Sequence, residues 1–89
     1  MEFEWNRNKA RENERKHCVS FAEAAEVFAD EYSSTAPDPD HSIEEDRYVI
    51  FGKTERNRFL AVAFTERNGR IRIISARQMT RRERKAYEQ

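Results

Sequence analysis

The stretch RFLAVAFTERNGRIRIISAR, residues 58–77, decides the fold of this 89-residue chain. Two segments rich in branched and aromatic residues, Arg58–Glu66 and Arg70–Arg77, flank the tripeptide Arg67-Asn68-Gly69. An Asn-Gly pair is a strong marker of a tight hairpin turn, because both residues tolerate positive φ. A third segment of the same character, Arg47–Lys53, comes just before them. We therefore predict three strands that form an antiparallel meander.

The start of the chain predicts a short strand followed by a polar helix. Phe3-Glu4-Trp5 alternates apolar and acidic residues, which suits an edge strand whose aromatic side chains face inward. Asn6 can cap a helix that covers about Arg7–His17. The only plausible inward stripe of this helix consists of Ala10, Asn13 and His17. A helix this polar needs support from the rest of the fold.

Ser20 and Glu23 stand in the S-x-x-E arrangement of a capping box, which predicts a second helix from Phe21 to about Asp30. Cys18 then turns the chain from one helix to the next. That position often requires positive φ, where a residue with a Cβ atom costs about 1 kcal/mol relative to glycine. Cysteine is therefore an unusual choice at this turn.

The remaining segments complete an α+β pattern. Tyr32–Glu45 contains both prolines, so we predict a short extended piece followed by an acidic loop. Thr80 and Glu83 form a second capping box, which predicts a final helix over Arg81–Glu88. We expect one domain, residues 1–89, with a short N-terminal strand, two helices, an antiparallel sheet with short edge strands, and a short C-terminal helix.

Charge is divided unevenly along the chain, although the formal net charge is zero. Residues 1–46 carry 5 Lys/Arg and 13 Asp/Glu, whereas residues 47–89 carry 12 and 4. Residues 67–85 hold 8 basic side chains and one acidic side chain. So dense a basic segment favours binding to a phosphate backbone or to an acidic protein segment. The alternative is that the two halves pack together and neutralise each other.

Several classes of protein do not fit this sequence. The single cysteine permits no internal disulfide, and no apolar run is long enough for a membrane span or a signal peptide. His41 follows Asp38 and Asp40, but no second His or Cys stands at metal-ligand spacing. We therefore expect a cytoplasmic protein that has no bound metal, no cofactor and no membrane association.

A set of short motifs runs through nearly the whole chain in a specific order. They are Phe3-x-Trp5; Asn13 followed by Lys16-His17-x-Val19-Ser20-Phe21-x-Glu23-Ala24; Val27-Phe28-x-Asp30; Arg70-Ile71-Arg72-Ile73-Ile74-Ser75-Ala76-Arg77; and Glu83-Arg84 with Tyr87. In these motifs the chain resembles the BrnT-type toxins, the ribonuclease partners of BrnA-type antitoxins in bacterial type II toxin-antitoxin pairs. It departs from the family at Asn6, usually Asp, and at Cys18, usually Gly.

The resemblance implies a RelE-like fold and an endoribonuclease that cleaves cellular RNA and inhibits translation until an antitoxin blocks it. The implied partner is a BrnA-type ribbon-helix-helix protein, bound in a hetero-oligomer that contacts DNA only through the antitoxin. Two other functions stay open. One is a non-catalytic RelE-like interaction module that stabilises a DNA-binding antitoxin, and the other is a simple RNA-binding domain.

Metal-independent RNA cleavage needs a general base, a general acid and a cation that stabilises the pentacoordinate phosphorane. His17 is the first candidate for acid or base, with Lys16 as a phosphate partner. The structural alternative is that the His17 ring binds the last carbonyl groups of its helix. Arg77, at the end of the last strand, is the best candidate cation. Arg47 and Glu45 could supply a further catalytic pair.

Other basic residues are candidates for RNA binding. Arg70 and Arg72 lie on the opposite face from Arg77 if the last strand alternates strictly. Both faces cannot address RNA, so either a β-bulge near Ile74-Ser75 or a division of roles is needed.

The final helix adds phosphate-binding candidates that confer no sequence choice, namely Arg81, Arg82 and Lys85. Tyr87 could stack on a base, although we favour a role as the anchor of the helix.

Overall fold

A five-stranded sheet forms the centre of the fold in this computed structural model, which describes residues 1–38 and 46–89. The elements are β1 (Glu2–Glu4), α1 (Arg7–His17), α2 (Phe21–Ala25), a 3-10 helix (Glu26–Ala29), β2 (Ser34–Pro37), β3 (Tyr48–Lys53), β4 (Phe59–Arg67), β5 (Arg70–Gln78) and α3 (Arg81–Tyr87). The strand order is β1-β5-β4-β3-β2. The α+β class, the meander and both short edge strands are as predicted. The inward orientation predicted for Trp5 is wrong, because Trp5 lies beyond β1 and is 38% exposed.

The hairpin marker sets the register of the sheet. Asn68 and Gly69 both have positive φ, 51° and 77°, and they join β4 to β5 at the pair Arg67–Arg70. β2, β3, β4 and β5 pair antiparallel. The edge strand β1 instead runs parallel to β5, with Phe3 opposite Ile71. The long connection between them, through two α-helices, a 3-10 helix and three strands, permits this orientation.

The helices begin at the predicted caps but differ from the prediction in detail. The Asn6 side chain accepts a hydrogen bond from the Lys9 amide at 3.0 Å, and Ser20 accepts one from Glu23 at 3.0 Å. The Glu23 carboxylate does not complete the capping box. It is buried, where it accepts a hydrogen bond from Thr54 at 3.3 Å and pairs with Arg58 at 3.5 Å. The second helix ends as a 3-10 turn.

The core lies between the sheet and the two N-terminal helices. The sheet side is lined by the buried residues Ile50, Leu60, Val62, Phe64, Ile71, Ile73 and Ala76. Val19, Phe21, Ala24 and Val27 cover them. A Cβ atom on Gly52 would stand 2.9 Å from the Val27 Cβ, so only glycine lets the 3-10 helix approach β3 this closely. Phe28 extends the core by edge-to-face contacts with Phe3 and Phe64.

Asn13 joins α1 to the sheet. Its side-chain amide donates to the Ala76 carbonyl at 2.8 Å and accepts from the Ala76 N–H at 3.0 Å, as a neighbouring strand would. The same amide group donates to the Val19 carbonyl at 3.0 Å. β1 pairs only with residues 70–72, so Asn13 satisfies backbone groups that β1 does not reach. Asn13 is buried, so all three bonds are shielded from water.

Cys18 occupies the left-handed conformation that the sequence predicts for the α1–α2 turn. Its φ is 57° and its N–H donates to the Glu14 carbonyl at 2.9 Å. This is the geometry that a glycine C-cap adopts, so the turn is strained and not rearranged. The Arg58 guanidinium donates to the Cys18 carbonyl at 2.8 Å and holds the strained turn against the start of β4.

We expect Asn13→Ala to lower the free energy of unfolding by about 2–4 kcal/mol, because it leaves buried donors and acceptors of Ala76 and Val19 unpaired. Urea denaturation followed by circular dichroism measures this. Asn8→Ala, an exposed position in the same helix, is the matched control and should change the value by less than about 0.5 kcal/mol. Equal losses in the two variants would contradict the role given to Asn13.

Cys18→Gly should raise the free energy of unfolding by about 1 kcal/mol, since glycine carries no Cβ penalty at positive φ. Cys18→Ala keeps the Cβ atom and should give no gain. The same urea titration measures both variants. A gain in Cys18→Ala as large as in Cys18→Gly would mean that the thiol, and not the backbone, is the source of the cost.

Candidate functional site

A β-bulge in β5 decides which arginines share a face. Ala63 pairs with Ser75 and Phe64 pairs with Ile73, so Ile74 has no partner on β4. The extra residue reverses the alternation, and Arg72, Ser75 and Arg77 come to lie on one face. The residues of β5 therefore do not alternate strictly between the two faces. Of the two alternatives, a β-bulge or a division of roles, the β-bulge near Ile74-Ser75 is confirmed.

This surface, on the opposite side of the sheet from α1 and α2, is the open face. By the same alternation it carries Val49, Ala63 and Thr65 beside the β5 residues. If the β3–β4 register is continued by one residue, Arg47 stands opposite Thr65. The Thr65 hydroxyl donates a hydrogen bond to the Asp46 carbonyl at 2.6 Å. The open face therefore carries cations beside mostly apolar side chains, and α3 lies against Phe51 at one end of it.

The arginines of β5 are already paired with carboxylates. Arg72 donates to Glu4 at 2.9 Å across the β1–β5 pairing, and Arg70 lies 3.6 Å from Glu2 and 3.8 Å from Glu4. Arg70 stands at the hairpin end of β5, far from Arg77 along the strand. A polyanion that binds Arg70 or Arg72 must therefore compete with the acidic residues of β1.

Arg77 is held by α3. Its guanidinium donates two hydrogen bonds to Glu83, at 2.7 and 3.0 Å, and Glu83 also completes the capping box with Thr80. The hydrogen bonds from Arg77 lower the pKa of Glu83 from 4.5 to about 2, against the opposing effect of burial. The same bond raises the pKa of Arg77. Both groups are therefore charged at neutral pH.

Tyr87 anchors α3, as the sequence analysis favoured. Its ring meets Phe59 edge to face at 5.7 Å, and its hydroxyl donates a short hydrogen bond to the Asp30 carboxylate. Burial, followed by the bond to Asp30, raises the pKa of Tyr87 to about 12. Burial would raise the pKa of Asp30, but hydrogen bonds from Tyr87, Tyr32 and Lys53 outweigh it and lower that pKa. Both contacts hold α3 against the rest of the fold.

Lys16 and His17 lie at the C-terminal end of α1, on the helix side of the sheet. His17 is exposed, so its assignment to the inward stripe is wrong, while Ala10 and Asn13 do face inward. Among residues 1–38 and 46–89 the imidazole makes no hydrogen bond, so it does not cap the helix carbonyls as the structural alternative required. The structure does not bring His17 onto the open face that carries Arg77.

One end of the sheet nevertheless gathers several of these elements. The bond from Arg58 to the Cys18 carbonyl places the end of α1 beside the start of β4. The start of β4 pairs with the end of β5, and the Met79 N–H donates to the Phe59 carbonyl just before α3 begins. We call this region the catalytic end, after the candidate catalytic residues that lie near it. Lys16, His17 and the exposed Arg81 and Arg82 border it, and Arg77 is one residue from the end of β5.

The structure also bears on the remaining candidate residues and on the predicted absence of a metal site and a membrane span. Lys85 is exposed on α3. Glu45 and His41 lie outside the described residues, so the structure does not test the Arg47–Glu45 pair. In the part of the chain that is described, no cluster of His, Cys, Asp or Glu could hold a metal ion. No helix within the same residues is long and apolar enough to span a bilayer.

Sequence reasoning did not find the acidic partners of the arginines. A sequence signal for the β1–β5 pairing was present. Glu2-Phe3-Glu4 and Arg70-Ile71-Arg72 are tripeptides with the same alternation of charged and apolar residues, and their charges have opposite sign. Charged residues of opposite sign on facing strands stabilise the pairing of those strands. Asp30 as the acceptor for Tyr87 gave no comparable local signal, because 57 residues separate the two in the chain.

Comparisons with known proteins agree with this architecture. Among solved structures, the chain is similar to the Brucella abortus ribonuclease toxin BrnT, whose crystal structure was determined at 1.1 Å resolution. The TM-score is 0.72 at 20% sequence identity, over 91% of this chain and 99% of the other. At this identity the likeness establishes the fold. A comparison with curated protein sequences gave no match.

The sequence profile of one protein family covers most of the chain. That family is described as "Ribonuclease toxin, BrnT, of type II toxin-antitoxin system", and its profile matches residues 5–83. The match runs from Trp5, just after β1, to Glu83 in α3, so it includes the bulged strand and most of the catalytic end. The chain belongs to the BrnT family of type II toxin-antitoxin ribonuclease toxins.

Proposed function

We propose that this protein is a metal-independent endoribonuclease that cleaves cellular RNA and inhibits translation until a BrnA-type ribbon-helix-helix antitoxin neutralises it. Family membership supports ribonuclease activity and an antitoxin partner in general terms. The single observation that carries the proposal is the bulge at Ile74, which turns Arg77 and Ser75 onto the same face as Arg72. Without it, the cations of β5 would be divided between two faces.

An RNA strand can reach both sides of the sheet at the edge of β5. β1 covers only residues 70–72, and beyond them α1 touches this edge through the Asn13 side chain. A strand that crosses the edge at the catalytic end would meet Arg77 on the open face and Lys16 and His17 on the helix side.

The roles follow from the chemistry of each group. His17 is exposed and can exchange protons with solvent, so it acts as general base toward the 2′-OH or as general acid toward the leaving 5′-oxygen. Lys16, next to His17, neutralises the phosphorane, and Arg77 holds a neighbouring phosphate on the open face. Arg47 adds a further cation on the open-face side, and we assign a further acid or base role to Glu45, which lies outside the described residues. Arg81, Arg82 and Lys85 add phosphate contacts that raise affinity without selecting a sequence.

The purified protein, freed of any partner, should degrade RNA in the presence of EDTA. Arg77→Ala and His17→Ala should each lower the cleavage rate at least tenfold, on the order of the contribution of one acid, base or cation. Gel analysis of a labelled RNA measures this. Arg67→Ala is the matched control, because Arg67 is an arginine at the opposite, hairpin end of the sheet. Undiminished cleavage by both variants would sink the proposed roles.

Glu83 makes a pH-dependent contribution to stability. Its pKa is about 2 in the folded protein and 4.5 ordinarily, so the contribution is complete above pH 4.5 and is lost as the pH falls toward 2. The drop in unfolding free energy between pH 6 and about pH 3 should be smaller in Glu83→Gln than in the unmodified chain. Urea titrations at the two pH values measure this.

Glu88→Gln is the matched control for Glu83→Gln, because Glu88 forms only an exposed pair with Arg84 at 3.6 Å. Glu88→Gln should show the same drop in unfolding free energy between pH 6 and about pH 3 as the unmodified protein. An identical drop in Glu83→Gln and in the unmodified protein would show that the Arg77–Glu83 pair does not hold α3 in place.

A non-catalytic interaction module is the second candidate, and one observation favours it. Arg70, Arg72 and Arg77 are each paired with a carboxylate within this chain, as expected of a surface built for packing and not for turnover. Such a module would bind and stabilise a DNA-binding antitoxin in a hetero-oligomer, as a RelE-like scaffold without activity. Tight binding of the antitoxin together with an absence of RNA cleavage would support the non-catalytic interaction module over the endoribonuclease.

A further inference from the structure

Apart from Lys16, the basic residues of α1 form a surface that the proposed function leaves unused. All five Lys/Arg of residues 1–46 fall on this one helix, although that half of the chain is acidic overall. Arg7, Arg11 and Arg15 stand four residues apart, so they form a single row along the exposed side of the helix. We call this row the α1 arginine row.

These charges differ from those of the sheet because they are barely neutralised. Within residues 1–38 and 46–89, the side chains of Arg7, Lys9, Arg11 and Lys16 have no hydrogen-bond or ion-pair partner. Arg15 contacts Glu12 at a long 3.8 Å, and both side chains are more than 70% exposed. The sheet arginines Arg70, Arg72 and Arg77 are all paired with carboxylates. The positive charge that is available to a ligand therefore lies on α1 and on the outer side of α3.

The row works against the stability of its own helix. The first turn of α1 contains Arg7 and Lys9 and no acidic residue, so two cations stand at the positive end of the helix dipole. Arg7–Arg11 and Arg11–Arg15 are like-charge pairs at the spacing where such charges repel most. Local rules that are broken without structural compensation mark functional surfaces.

We propose that the α1 arginine row binds the phosphate backbone of the RNA substrate and leads the strand to the catalytic end. Four residues of helix rise about 6 Å, which is on the scale of the separation between neighbouring phosphates along one strand. Guanidinium groups bind phosphate oxygens in a bidentate manner. The row ends one helical turn from the strained Cys18 turn that Arg58 holds against β4.

Nucleic acid fits this surface better than an acidic protein does. Protein interfaces need a buried apolar or aromatic centre. The exposed side of α1 has none, since its exposed residues besides the row are all polar or charged: Asn8, Lys9, Glu12, Glu14, Lys16 and His17. Protein–nucleic acid interfaces, by contrast, are polar and strongly positive. The inference rests on the proposed function for the identity of the ligand as RNA.

The test compares two triple variants that remove the same charge. Arg7→Gln/Arg11→Gln/Arg15→Gln removes the row, and Lys53→Gln/Arg56→Gln/Arg67→Gln removes three exposed cations elsewhere. Binding is measured by fluorescence anisotropy with a labelled 2′-O-methyl single-stranded RNA, which lacks the 2′-OH nucleophile and cannot be cleaved. Dissociation constants are taken over a series of salt concentrations.

Loss of three phosphate contacts should weaken binding at least tenfold near 0.1 M salt and reduce the slope of log K against log salt by about 2. The weakening should be the same for RNAs of different sequence. The control variant should change affinity less than about threefold. Circular dichroism should find both variants folded, with α1 in the first variant no less stable, because repulsion along the row is removed.

An equal loss of RNA affinity in the two triple variants would overturn the proposal. It would mean that the α1 arginine row affects binding only through the net charge of the protein. Loss of antitoxin binding with unchanged RNA affinity would also overturn it and would assign the row to an acidic protein. RNA cleavage is measured in a separate experiment. If the protein binds RNA through the α1 arginine row but does not cleave it, the proposal for the row stands and the proposed enzymatic function fails.

Discussion

The Asn13 amide is the constraint on which the rest of the structure depends. β1 is too short to cover β5, so the exposed part of that strand needs another partner for its backbone groups. A side-chain amide has the donor and acceptor geometry of a peptide group, and Asn13 supplies both to Ala76. The third bond, to Val19, fixes the turn between the helices. One buried side chain therefore positions α1, the turn and the edge of the sheet.

Elements with strong local signals were predictable, and their tertiary partners were not. Asn68-Gly69, Ser20 and Thr80 mark a turn and two helix starts through local hydrogen bonds and local backbone preferences, and each lies where it was expected. The Glu23 side chain was misassigned, because a buried pairing with Arg58 outcompetes the local capping bond. Local chemistry offers several partners to such a group, and only packing selects among them.

The candidate site was predictable in its residue types and not in its arrangement. The alternation rule divided the arginines of β5 between two faces, and the bulge at Ile74 reunites them. Its exact position depends on how β4 packs, which the sequence of β5 does not encode locally. The carboxylates on Arg72 and Arg77 come from the two ends of the chain, so a pattern read along one strand does not contain them.

The pairing of the first strand with the last has a consequence for biosynthesis. Glu4 binds Arg72 across 68 residues, and Asn13 reaches Ala76 across 63. A nascent chain cannot close this sheet until β5 has left the ribosome. The arginines of β5 and the acidic residues of β1 therefore meet only after every strand between them has been made.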